Sequence, residues 1–261
     1  MAIHPTAIIS PNAELDSSVE VGPHAIIEEH VKIGAGTQIG ANTYLTGYTE
    51  IGRENQIHLG AVIGHEPQDL KFDRTCRSYL RIGDRNIFRE YATVHRGTAP
   101  ESATIIGDEC FLMAGMHVGH NCIIGNNVIV ANSALLAGHV HVGDRAFISG
   151  GAAIHQFMHV GRLSIISGNS SISMDVPPFT MAAERNEVFA LNLVGLRRAK
   201  LPETTIAELK KLFRLYYRSG LNGTQARAAA AQAGIFTSPE AEEFIEFFRT
   251  SPNGVCPGAR R

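Results

Sequence analysis

Aliphatic residues recur at every sixth position from Ile3 to Ile63, through Ile9, Leu15, Val21, Ile27, Ile33, Ile39, Leu45, Ile51 and Ile57. A second unbroken run leads from Ile106 through Leu112, Val118, Ile124, Val130, Leu136, Val142, Ile148, Ile154, Val160 and Ile166 to Ile172. A helix repeats near 3.6 residues and a flat strand at 2, so neither explains a strict period of six. A chain that makes a short strand and a turn every six residues does, with the aliphatic side chain pointing inward each time. The pattern therefore predicts a β-helix. Glycines follow many of these positions, as in Val21-Gly22, Ile33-Gly34, Val118-Gly119 and Val142-Gly143, which suits a chain that turns so often.

The register slips after Ile63, resumes at Ile82, Phe88 and Val94, lapses at Pro100 and returns at Ile106. Two inserted loops are expected, over about 64–81 and 97–104. Loops leaving a rigid scaffold often carry function, and a tolerated insertion is the other reading. The repeat is expected to stop near Asp175-Val176-Pro177-Pro178, because paired prolines cannot continue a ladder. The organisation predicted is a β-helix over 1–184 and a helical domain over 185–261. In the latter, Ile206, Leu209, Phe213 and Tyr216 share one helical face, and Ser238-Pro239 reads as an N-cap followed by Pro at the first helical position. Ala241, Phe244, Ile245 and Phe248 then follow helical spacing, Ala228 to Ala231 lies in another short helix, and the tail from Pro252 to Arg261 is expected to be loose.

Net charge is −2 across 261 residues, which gives no support for nucleic-acid binding. No apolar run is long enough for a membrane span, and Met1-Ala2-Ile3-His4-Pro5 does not read as a secretory signal. The four cysteines form no CxxC pair and are expected to be reduced thiols of a cytoplasmic protein. Cys122 beside His120 is expected to be core packing rather than a nucleophile.

All twelve histidines precede residue 160, and His117, His120, His139, His141, His155 and His159 crowd into a few repeats. Imidazole is the natural general base near neutral pH, and a neighbouring Gly can offer a bare backbone N–H to an oxyanion. Solvated side chains on a polar face are the alternative for these histidines. The competing chemical reading is zinc, which needs neutral imidazoles converging at about 2.1 Å. His117 and His120 are an odd number of residues apart, which in a strand turns side chains away from each other, so no metal is expected. Between Gly195 and Arg218, Arg197, Arg198, Lys200, Lys210, Lys211, Arg214 and Arg218 face only Glu203 and Glu208. They suggest an anionic partner, an ordinary solvated helix face being the alternative.

The repeat resembles that of the hexapeptide-repeat proteins, which implies a left-handed, three-faced parallel β-helix, mainly β, followed by the small α-helical domain. Three hexads per turn stack His120, Gly138 and Gln156 in one column and Asn121, His139 and Phe157 in the next. His120 and Gln156 would then lie about 10 Å apart, two strand spacings. Within that fold, Met113-Ala114-Gly115-Met116-His117-Val118-Gly119-His120-Asn121-Cys122 is similar to the active-site segment of UDP-N-acetylglucosamine O-acyltransferases. Pro67-Gln68-Asp69-Leu70-Lys71, Val94-His95-Arg96-Gly97-Thr98, Leu136-Ala137-Gly138-His139-Val140, Ile154-His155-Gln156-Phe157 and Gly195-Leu196-Arg197-Arg198 fit the same family.

The resemblance implies transfer of a 3-hydroxyacyl chain from acyl carrier protein to the glucosamine 3-hydroxyl of UDP-N-acetylglucosamine, the first step of lipid A synthesis. It implies a homotrimer with sites between subunits, acyl carrier protein docked on the basic helices, and no tightly bound cofactor, the donor riding on phosphopantetheine. His120 would be the general base and the Gly138 N–H the oxyanion donor. Asp69, Lys71, His117, His139, His155 and Gln156 would bind the sugar nucleotide or position the donor, and Asn192 and Arg198 would meet the nucleotide end. Gly168 matches the position that limits acyl-chain length. Two departures stand out. Asn121 replaces the Asp frequent after the catalytic histidine, and Ala199 replaces a frequent Arg. The zinc-dependent, carbonic-anhydrase-like lyase and a non-catalytic scaffold are the alternatives on the same fold.

Overall fold

A computed structural model describes residues 2–234 and 236–259. Most strands are two residues long, and each pairs in parallel with strands one turn of the coil away, as in Ala2↔Glu20 and Ile3↔Val21. Three sheets of eleven, nine and eight strands result among the described residues. They are called here the first, second and third in the order the chain enters them. Successive coils lie about 4.8 Å apart along the axis. Because the period is six, the same strand residue points inward on every face. Ile27, Leu45, Ile63, Val94, Val118, Leu136, Ile154 and Ile172 form one such buried column under the second sheet.

The corners have a fixed chemistry. Their second turn residue takes a left-handed conformation, as at His24, Asn42, Asn121 and His139 (φ 54–61°), the signature of a type II turn. Pro23 sits just before His24, where a type II turn favours proline and its missing N–H costs nothing. At the corner between the third and first sheets that N–H finds a partner. The amides of Arg53, Asp84, Asp108 and Asn126 donate to the side-chain oxygens of Asp84, Asp108, Asn126 and Asp144 on the next coil, at 2.7–2.8 Å.

Strands Val62–His65 and Tyr79–Ile82 enclose the first insertion, and Thr93–His95 and Ala103–Ile106 the second. The irregular segments are thus 66–78 and 96–102: the first lies inside the range expected, and the second begins one residue earlier and ends two residues earlier than expected. The ladder does not stop at Pro177-Pro178. Val176 still bridges Val160, and Thr180–Ala183 continues the first sheet in parallel before pairing with Glu187–Leu191 in an antiparallel hairpin. The prolines occupy a corner, where a ladder donor is not required.

Helices α1 (Leu193–Arg198), α2 (Glu203–Arg218), α3 (Gly223–Ala233) and α4 (Pro239–Thr250) follow. Ile206, Leu209, Phe213 and Tyr216 are buried on α2, and Ser238 caps α4 with Pro239 at its start, as the spacing predicts. None of the described helices is long and apolar enough to cross a membrane. The tail is not loose up to residue 259: Val255 bridges Asp175, Gly258 bridges Val188, and Cys256 is buried. Asp175 is the anchor. Fully buried, it accepts from the His159 N–H at 2.8 Å, the Ser251 hydroxyl at 2.6 Å and the Asn253 amide at 3.1 Å. Arg260 and Arg261, the end of the tail expected to be loose, lie outside the described residues.

Candidate active site

A cleft of about 770 Å³ opens along the outer face of the second sheet and its corner with the third. His95, His117, His120, Gly138, His155 and Gln156 line it, joined by Gln68 from the first insertion. Toward the last coils its floor is apolar, with Leu135, Ala153 and Ile154; toward the first it is polar, with Gln68, Thr93 and His95.

His120 and Gly138 occupy the same corner position on successive coils, eighteen residues apart in sequence. A Cβ on Gly138 would stand 2.5 Å from His120 Nε2, so only glycine lets the imidazole lie flat over that coil. The Gly138 N–H donates to no group among the described residues, although its carbonyl accepts from Phe157 at 3.1 Å. The Asp/Asn ladder that occupies the equivalent N–H at another corner has no counterpart here.

Asn121 fixes the state of His120. The Thr98 backbone N–H donates to Asn121 Oδ1 at 3.1 Å, and the Thr98 hydroxyl does so at 2.9 Å. A backbone N–H can only donate, so the atom facing it is the amide oxygen. His120 Nδ1 lies 3.0 Å from that same oxygen and must carry the proton. In the neutral ring Nε2 then keeps the lone pair, above Gly138. Asn, like Asp, tolerates the left-handed corner at 121 (φ 59°).

His117 and His120 face one cleft, contrary to the expectation from their odd spacing. Alternation holds within a strand; His117 is in the strand His117–Val118, while His120 is beyond it in the turn. His117 Nδ1 is 2.7 Å from the Thr93 hydroxyl. Burial first, and the neighbouring His120 second, push the His117 and His139 imidazoles below their ordinary range. His139 packs edge-on to His120 (5.2 Å between centroids) and stacks on Phe157 (4.7 Å). His155 and Gln156 are exposed at the cleft edge. Cys122 is core, as expected: it is fully buried, its thiol is pushed up to about 12 by burial, and its Sγ donates to Ala137 O at 3.1 Å.

Other expected residues lie elsewhere on the chain. Asp69 and Lys71 are exposed and closed on each other, the Lys71 N–H donating to Asp69 Oδ1 at 2.9 Å. Gly168 is exposed at the opposite edge of the second sheet, where a Cβ would meet only Gly150 O at 3.3 Å. Asn192 and Arg198 line a separate cleft of about 460 Å³ over the first sheet, with Ile129, Phe147 and Ile165. Asn192 is buried and caps α1: it accepts from the Gly195 N–H at 2.9 Å and donates to Leu163 O at 2.8 Å. Arg218 is partly committed to structure, donating to Phe189 O at 3.1 Å. His95, Arg96 and Thr98 carry no expected role, although the segment that holds them fits the family. Arg96 is buried against Phe72 of the first insertion, its guanidinium 5.4 Å from the ring. Among the described residues, no three His, Cys, Asp or Glu side chains gather as a metal site would need.

Residues 175–256 match the family described as UDP-N-acetylglucosamine O-acyltransferase, domain 2, and residues 103–138 match the bacterial transferase hexapeptide repeat. The acyl-[acyl-carrier-protein]–UDP-N-acetylglucosamine O-acyltransferase of Burkholderia ambifaria is 47% identical over 97% of this chain and 98% of its own. That of Thermodesulfovibrio yellowstonii is 43% identical over the same shares. Among solved structures, the UDP-N-acetylglucosamine acyltransferase of Francisella novicida superposes with a TM-score of 0.94 at 31% identity, over 99% of this chain and 95% of that one. The Bacteroides fragilis enzyme gives 0.91 at 40%, over 97% and 98%. The coil is accordingly a left-handed β-helix of hexapeptide repeats, and the chain belongs to the UDP-N-acetylglucosamine O-acyltransferase family.

Proposed function

We propose that this acyltransferase moves a 3-hydroxyacyl chain from the phosphopantetheine of acyl carrier protein to the glucosamine 3-hydroxyl of UDP-N-acetylglucosamine, opening lipid A synthesis. The observation that carries the reading is the lone pair of the neutral His120 Nε2 above the Gly138 N–H, which donates to no group among the described residues. Nε2 takes the proton of the sugar hydroxyl as its oxygen attacks the thioester carbonyl. The carbonyl oxygen becomes an oxyanion and accepts from the Gly138 N–H. Collapse breaks the carbon–sulfur bond, and the departing thiolate takes the proton back from Nε2. No acyl-enzyme forms. Asn121 holds Nδ1–H throughout, so the ring neither rotates nor changes tautomer.

The acyl chain would run over the apolar end of the cleft toward Gly168, whose missing side chain leaves room for a longer chain. His117, His139, His155 and Gln156 would surround the sugar and the donor carbonyl. Asn192 and Arg198 lie over the first sheet and the catalytic pair at the edge of the second, on different faces of one prism. A closed trimer that lays one face of each chain against another face of the next would join them, which is why we assign the active form as a homotrimer. Asp69 and Lys71, exposed on their loop, would then reach sugar nucleotide in that shared site, and the basic residues of α2 would dock the acidic carrier.

The test is mass analysis of the product formed from mixed 3-hydroxyacyl carriers with both UDP-N-acetylglucosamine and its 3-amino analogue. An O-linked acyl product is expected, lost in His120→Ala while size and thermal unfolding stay unchanged. An N-linked product, or near-normal turnover by His120→Ala, would overturn the assignment.

A further inference from the structure

The polar end of the cleft holds an imidazole with no part in the chemistry above. His95 ends the strand Thr93–His95 and is only 6% exposed, yet it lines the cleft with Gln68, His117 and His120. Its Nδ1 is buried and has no hydrogen-bond partner among the described residues. Such a nitrogen costs on the order of 1–3 kcal/mol, and folded chains rarely leave one without a reason. The charged and titratable groups facing it are imidazoles: His117 stands edge-on at 4.7 Å between centroids, His65 lies at 6.1 Å, and His120 is beyond. Burial, then those neighbours, hold His95 at about 4. At neutral pH it is therefore uncharged and offers one donor and one acceptor.

That combination suits a neutral hydroxyl better than a phosphate, which would call for fixed positive charge. The reacting hydroxyl belongs at His120, and the apolar floor at Leu135, Ala153 and Ile154 belongs to the acyl chain. What remains at the polar end is the rest of the sugar ring. We propose that His95 is a specificity residue for the acceptor, hydrogen-bonding a ring hydroxyl of the N-acetylglucosamine other than the one acylated. This rests on the acyl-transfer reading and names a contact within it.

Calorimetry on the intact protein with UDP-N-acetylglucosamine and with UDP tests it, alongside steady-state kinetics of His95→Leu and His95→Gln. Losing one hydrogen bond should weaken UDP-N-acetylglucosamine binding about tenfold in His95→Leu and leave UDP unchanged. KM for the sugar nucleotide should rise while KM for the acyl carrier holds, and His95→Gln should recover most of the loss. Equal weakening of both nucleotides, a change confined to the acyl carrier, or no change in either variant would overturn the assignment. If the unaltered protein bound no UDP-N-acetylglucosamine at all, the acyl-transfer reading itself would fall.

Discussion

Gly138 lies directly beneath the imidazole of His120, close enough that a single added methyl group would stand 2.5 Å from Nε2. The two residues are one coil apart, and each defines the other's chemistry. The glycine makes room for the base, and the base roofs an amide that no group among the described residues occupies.

Gly138→Ala should therefore act through the geometry of the ring rather than through folding. The methyl displaces the imidazole and covers the N–H, so kcat should fall by about 10²-fold or more. Thermal unfolding should shift little, since the corner tolerates side chains on other coils. Turnover within a few-fold of the unaltered enzyme would mean that neither group is where the reaction happens.

Asn121→Asp should change the pH profile. A carboxylate 3.0 Å from Nδ1 would stabilise the charged ring that forms as the base takes its proton. Favouring the imidazolium also makes the free base scarcer in acid. The acid limb of kcat/KM should move up by about one pH unit and the plateau should rise a few-fold. Thr98 can still donate to the new carboxylate, so the corner should hold. An unmoved acid limb would indicate that the Nδ1 contact has no electrostatic part in turnover.

Stability should also depend on pH, with a definite sign. His95, His117 and His139 are held below the ordinary imidazole value, His95 from 6.5 to about 4, with burial the leading cause. Between those values the unfolded chain takes up protons that the folded chain refuses. Stability is therefore full above about 6.5 and declines as the pH falls toward about 4. Urea midpoints measured at neutral pH and near pH 5 should show the loss, and His95→Gln should show a shallower one. Equal slopes in the two proteins would exclude His95 as a contributor.

Asp175→Ala should release the tail. The substitution leaves the His159 N–H, Ser251 hydroxyl and Asn253 amide without their shared acceptor. About 2–4 kcal/mol of stability should be lost, with faster proteolysis near Gly254 as the local readout. Uniform protection of the tail in the variant would show that the backbone bridges to Asp175 and Val188 suffice.

The hexad period was legible because one inward aliphatic per strand is all the core requires, and nothing else repeats at six. Helix α4 was equally plain, since Ser238-Pro239 carries its own start signal. The convergence of His117 and His120 was hidden. Alternation describes positions inside a strand, and the strand ends at Val118. The resemblance implied a nucleotide contact at Asn192; its cap on α1, which depends on a carbonyl at Leu163 remote in sequence, was not legible. Asp175 likewise looked like the end of the repeat, because its tail partners lie more than seventy residues away. His95 carried no local sign of burial, since the insertions that enclose its corner break the repeat.

The Asp and Asn oxygens that stitch coil to coil at one corner leave this architecture with a discrete ruler. Deleting or duplicating one eighteen-residue block would keep every inward aliphatic in place and reseat each stitched amide on its new neighbour. Reach along the outside would change by about 4.8 Å at a time, the length of roughly four methylenes. On the acyl path proposed above, coarse changes in chain length would take whole-coil steps, and finer ones a side chain at a place such as Gly168.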